Sequence, residues 1–90
     1  MRVSRRFVIS GRVQGVGFRW FAQEAAGREG ATGWIRNLAD GRVEALVEGE
    51  SEAVTRVERA LRAGPSGARV DDVFVDDQEP GGYRRFTIER

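Results

Sequence analysis

The sequence predicts an α+β fold, a split-βαβ antiparallel sheet with two helices on one face. Three observations lead there. Strand-like alternation and helical periodicity follow one another in the order β-α-β-β-α-β, and a short strand closes the chain. Each helical stretch has a single apolar stripe, as expected of a helix lying on a sheet. The chain has 90 residues, room for one domain (1–90) built from one sheet and one layer of helices.

Phe7 to Arg12 reads as the first strand, with Phe7, Ile9 and Gly11 on one side and Val8, Ser10 and Arg12 on the other. Gly11, Gly15 and Gly17 follow in quick succession. Phe18, Phe21, Ala22, Ala25 and Ala26 then recur at helical spacing, and Gly27 and Gly30 mark the helix end. Thr32 to Leu38 reads as the second strand. Asp40-Gly41 is a hairpin signal, and Arg42 to Glu48 alternates with Val43, Ala45 and Val47 on one face. Ser51 is a candidate N-cap for a helix lined by Val54, Val57 and Leu61, which Gly64-Pro65 stops. Val70 to Val75 is a fourth strand, Pro80-Gly81-Gly82 a turn, and Phe86 to Glu89 a last short strand.

Composition narrows the chemistry. Hydrophobic residues make up 40% and charged residues 32% of the chain, as in ordinary globular domains. No apolar run approaches the roughly 20 residues that span a bilayer, and the N-terminus has no signal-peptide pattern, so a cytoplasmic location is expected. The net charge of +1 exerts no general pull toward nucleic acid or membrane. All 15 basic residues are arginine, and the chain has no His, Cys or Lys. That excludes Ser-His-Asp triads, Cys nucleophiles, Schiff bases and P-loop lysines. A site here must use Arg, carboxylates, amides, hydroxyls and the backbone.

Topology then selects a place. In a split βαβ unit the first two strands run parallel with the third between them, so their C-terminal ends share one end of the sheet. The glycine loop after Arg12 and the residues around Asn37 meet there, about 10 Å apart. The loop runs into a helix N-terminus, whose free N–H groups and dipole favour an anion. Arg19, in the first helical turn, has a fork that fits two phosphate oxygens. Taken alone, such a loop is equally well a tight βα turn whose glycines only permit packing.

Two segments carry a more specific likeness. Gly11 to Arg19, GRVQGVGFR, and Gly33 to Asn37, GWIRN, followed by Asp40 to Glu44, resemble the two signature segments of the acylphosphatase family. The resemblance covers essentially the whole chain and implies a ferredoxin-like fold and hydrolysis of carboxyl–phosphate anhydrides. It implies that Arg19 binds the substrate phosphate and that Asn37 orients the attacking water. The backbone amides of Gln14, Gly15, Val16, Gly17 and Phe18 would cradle the phosphate. It implies no metal and no cofactor. Trp20 stands where tyrosine is common in the family, Ile35 replaces a common valine, and Arg28 to Thr32 is more polar than usual.

Other residues read as structural. Asp71, Asp72, Asp76 and Asp77 lack the spacing of an oxygen-ligand loop and read as a solvated strand edge. Arg2, Arg5 and Arg6 read as a charged edge strand that resists aggregation. Trp34 reads as packed on the sheet and Arg36 as half of a surface salt bridge; Trp20 is a candidate for stacking on a ligand. The expected partner is a small acyl phosphate, handled by a monomer without nucleic acid or membrane. The competing readings are a non-catalytic anion-binding module of the same fold and an RNA-binding ferredoxin-like domain. The second lacks an aromatic-rich RNA-binding segment.

Overall fold

The computed structural model describes residues 1–90. Its elements are β1 (Arg2–Arg12), α1 (Phe18–Arg28), β2 (Thr32–Asn37), β3 (Val43–Glu50), α2 (Ser51–Ala63), β4 (Arg69–Gln78) and β5 (Phe86–Glu89). They form one five-stranded sheet in the order β4-β1-β3-β2-β5. The four longer strands pair antiparallel, whereas β5 adds to β2 in parallel. The α+β, ferredoxin-like arrangement is therefore the observed one, with a parallel edge added.

Alternation assigns the two sheet faces. Phe7, Ile9, Ile35, Val43, Ala45 and Val47 are fully buried against Phe18, Ala22 and Ala26 of α1 and Val54, Val57 and Leu61 of α2. Alanine at the α1 contact positions lets the helix lie close to the sheet. The helix ends in a Schellman arrangement: Ala31 N–H donates to the Ala26 carbonyl (2.9 Å) and Gly30 N–H to that of Gly27 (3.3 Å), with Gly30 left-handed at φ 69°.

Four sequence expectations need correction. First, β1 begins at Arg2, not Phe7, and it is an interior strand between β4 and β3. Arg2, Arg5 and Arg6 are thus not edge charges; they pair with Glu48, Glu58 and Glu44 on neighbouring elements. Arginines in a strand defeat an alternation test because their carboxylate partners are distant in sequence. Second, β4 extends to Arg69 and Gln78, and β3 runs from Val43 to Glu50; β2 stops at Asn37, one residue short of Leu38.

Third, Ser51 does not cap α2. Glu50 occupies the N-cap position without a side-chain bond to the helix, and the Ser51 hydroxyl donates to Glu52 (3.0 Å). The helix start is tied instead to the chain start, since Ser51 N–H donates to the Met1 carbonyl (2.9 Å).

Fourth, Pro80 to Gly82 is not a turn. β4 and β5 lie on opposite edges of the sheet, four strand spacings or about 19 Å apart. The connecting residues 79–85 reach only about 25 Å when extended, so the segment crosses the helix-free face as a strap. It follows the register row Gln78–Ser4–Glu48–Thr32. Glu48 is 0% exposed beneath it and accepts hydrogen bonds from Gly81 N–H (2.6 Å) and Gly82 N–H (2.9 Å). Trp34 Nε1 donates to the Tyr83 hydroxyl farther along (3.3 Å).

Candidate active site

β1 ends in the loop that precedes α1. Gly15 and Gly17 have φ of 73° and 77°, the left-handed region that glycine enters without steric cost. Gly17 is the N-cap of α1 and supplies no side-chain cap. The first intrahelical bond runs from Phe21 N–H to the Gly17 carbonyl (3.0 Å). The amides of Phe18, Arg19 and Trp20 therefore have no carbonyl one turn back to accept them. Those of Gly15, Val16 and Gly17 enter no turn or loop bond. These donors lie at the start of α1, where the helix dipole is positive.

Arg19 is distinguished by what it lacks. Arg2, Arg5, Arg6, Arg36, Arg42, Arg56, Arg62 and Arg69 each lie within ion-pair distance of a carboxylate. Of the remaining arginines, Arg12, Arg28, Arg59, Arg84, Arg85 and Arg90 are exposed, and Arg19 alone is half-buried. Its one protein contact is a hydrogen bond from Nη1 to the Glu89 carbonyl (3.3 Å) at the end of β5. A half-buried guanidinium whose one protein partner is a carbonyl keeps N–H donors suited to an anion's oxygens.

Asn37 is the last residue of β2. It shares the parity of buried Ile35, so it lies on the helix face, where α1 begins. Arg36 has the opposite parity and lies on the helix-free face. There it covers Trp34 at 5.2 Å and reaches Glu44 (2.8 Å). Glu44 also binds Arg6 (2.8 Å). Burial pushes the Glu44 carboxyl up, but the hydrogen bonds from Arg36 and Arg6 outweigh it and hold the group below its ordinary value.

Gly15, Gly17, Phe18, Arg19, Trp20, Asn37 and Ile88 line one cavity of about 200 Å³. The fold thus brings Arg19, Asn37 and the glycine loop together, as the topology predicts. Gln14 and Val16 do not line the cavity. Val16 packs against the core. The Gln14 side chain donates from Nε2 to the carbonyls of Leu38 (2.8 Å) and Arg42 (2.9 Å). It thereby ties the glycine loop to the hairpin that follows Asn37, a role that spacing alone does not show. Sequence reasoning also missed Ile88 and the Glu89 carbonyl, because β5 reaches the site only through its pairing with β2.

The acidic pairs of β4 do not form a cluster of three or more potential metal ligands. Asp71 binds Arg69, Asp76 binds Arg6, and Asp77 lies near Arg5.

The acylphosphatase family model matches residues 5–88. This chain belongs to the acylphosphatase family. It is 56% identical to the acylphosphatase of Anaeromyxobacter dehalogenans over 90% of its own length and 87% of the relative. It is 50% identical to that of Trichormus variabilis over 91% of its length and 81% of the relative. The crystal structure of acylphosphatase from Bacillus subtilis superposes with a TM-score of 0.95 at 38% identity, covering 98% of this chain and 99% of that one.

Proposed function

We propose that this member of the acylphosphatase family hydrolyses the carboxyl–phosphate bond of small acyl phosphates, releasing a carboxylate and inorganic phosphate. The single observation that carries the reading is the cavity joining unpaired Arg19, the free amides of the glycine loop and Asn37. Arg19 and the amides of Gly15, Gly17 and Phe18, which border the cavity, hold the phosphoryl oxygens and offset their growing charge. Asn37, through its amide oxygen and nitrogen, orients a water toward phosphorus on the side opposite the leaving carboxylate.

The chemistry suits a chain without His or Cys. Phosphoryl transfer asks for positioning and charge stabilisation more than for covalent help. The leaving group is a carboxylate whose acid has a pKa of about 4, so it departs without a general acid. The attacking water forms a bond to phosphorus as the bond from phosphorus to the acyl oxygen breaks. Its proton passes to a phosphoryl oxygen of the substrate, whose second pKa is roughly 6. On this reading the protein works without a metal or cofactor, as a monomer in the cytoplasm.

Arg19→Ala tests the reading. Hydrolysis of an acyl phosphate is expected to fall by on the order of 10²–10³ in kcat/KM, the usual cost of removing one donor to the transition state. Unchanged kcat/KM in a folded variant would contradict it.

A further inference from the structure

The hairpin that follows Asn37 closes through a side chain. Leu38 and Arg42 face each other across it, and Leu38 N–H donates to the Arg42 carbonyl (2.8 Å). Ala39 and Asp40 make the turn and Gly41 follows with φ 96°, a three-residue loop whose last residue is left-handed. The Arg42 amide does not return to the Leu38 carbonyl. It donates to Asp40 Oδ1 (3.1 Å), and Arg42 Nε donates to Oδ2 (2.8 Å); an Asp side chain commonly takes the amide two residues on. The Leu38 carbonyl is left to Gly41 N–H (3.2 Å) and Gln14 Nε2 (2.8 Å). Its oxygen has two lone pairs, and these donors occupy both.

We propose that Asp40 is a positioning residue for the reaction: by holding the Arg42 amide away from the Leu38 carbonyl it keeps that carbonyl for Gln14, and so fixes Asn37 against the phosphate cradle. The inference rests on the phosphate-site reading above. Gln14 belongs to the glycine loop and Leu38 adjoins Asn37, so their bond sets the distance between the phosphate and the attacking water. Asp40 acts through Leu38 and does not line the cavity. Without its carboxylate the Arg42 amide turns to the Leu38 carbonyl, where a third donor displaces Gln14. The carboxylate is in place at neutral pH, because the Arg42 amide chiefly, and the guanidinium in addition, hold it below its ordinary value and outweigh burial.

The test compares wild type, Asp40→Ala, Asp40→Asn, Gln14→Ala and the double variant Asp40→Ala with Gln14→Ala. Asp40 is exposed, so the variants are expected to fold, and circular dichroism checks each. The readouts are kcat and KM for benzoyl phosphate and the inhibition constant of inorganic phosphate. Misplacing reacting groups by about 1 Å costs on the order of 100-fold, so a partial loosening by Asp40→Ala is expected to lower kcat about tenfold. Phosphate inhibition is expected to stay near wild type, because the cradle itself is intact. Asp40→Asn keeps an oxygen for the Arg42 amide and is expected to restore most of kcat. Since both residues serve one bond, the double variant is expected to fall about as far as the slower single variant, not the roughly 100-fold of two independent effects. An unchanged kcat in Asp40→Ala, a multiplied loss in the double variant, or phosphate inhibition weakened as much as kcat overturns the positioning role and leaves the phosphate site standing. Failure of the wild type to hydrolyse benzoyl phosphate overturns the phosphate-site reading and the positioning role with it.

Discussion

Gln14 shows how much a single side chain can organise without touching a ligand. Its Nε2 serves two carbonyls of the β2–β3 hairpin at 2.8 and 2.9 Å, so the phosphate cradle and the segment holding Asn37 are fastened to each other. Misplacing reacting groups by about 1 Å can cost on the order of 100-fold in rate. Gln14→Ala is expected to lower kcat about tenfold with a smaller change in KM, while inorganic phosphate still competes with substrate. A kcat equal to wild type would show that the hairpin and cradle hold their spacing without it. At this scale the sequence was legible where a residue acts through its type. Arg19 and Asn37 stood out through the family likeness and the loop that precedes the helix. The sequence marks Gln14 for its backbone amide alone, because its side-chain partners are carbonyls 24 and 28 residues away.

At the scale of elements, close backbone approach sets the sheet geometry on which the site depends. Gly33 lies in β2 with φ 132°, and a Cβ there would sit 1.9 Å from the Leu46 carbonyl oxygen. Backbone on β3 is the obstacle, so no side-chain movement relieves it. Gly33→Ala is expected to destabilise the fold by on the order of 3 kcal/mol, measured by urea denaturation. A loss below about 0.5 kcal/mol, typical of a surface change, would contradict the close packing of β2 on β3. The elements with uninterrupted apolar periodicity, α1, α2 and the second half of β1, were legible. The first half of β1 was not, because Arg2, Arg5 and Arg6 find their carboxylates only after the chain has folded. Nor was the parallel pairing of β5, which depends on the strap delivering it to β2.

Across the whole molecule, the strap of residues 79–85 covers the row of the helix-free face that holds Ser4 and Glu48, which are 1% and 0% exposed. It also places β5, whose Glu89 carbonyl holds Arg19 and whose Ile88 borders the cavity. Its anchor is Glu48. Burial raises the Glu48 carboxyl, but bonds from the Gly81 and Gly82 amides and from Arg2 more than reverse this and hold it below its ordinary value. A carboxyl depressed in the folded state stabilises above its unfolded pKa, near 4.3. That contribution is lost as pH falls through the lower folded value. Glu44, also depressed, acts in the same direction. The melting temperature is therefore expected to be level above about pH 5.5 and to fall steadily below about pH 4.5. Glu48→Gln should melt lower at neutral pH and show a shallower acid decline. A wild-type melting temperature constant down to pH 3 would contradict the anchoring role. None of this crossing was legible in Pro80-Gly81-Gly82, whose composition favours a turn. The distance between the two sheet edges, a global quantity, extends it instead.

On the proposed function, phosphate held at Arg19 and water placed by Asn37 suffice for acyl phosphate hydrolysis without a metal. The most direct measurement is the initial rate of benzoyl phosphate hydrolysis, followed by absorbance with a chelator present, for wild type and Asn37→Ala. Rapid wild-type turnover is expected, surviving the chelator and falling by on the order of 10² or more in the variant. A folded wild type that binds phosphate but does not turn over, or an Asn37→Ala variant as fast as wild type, would contradict it.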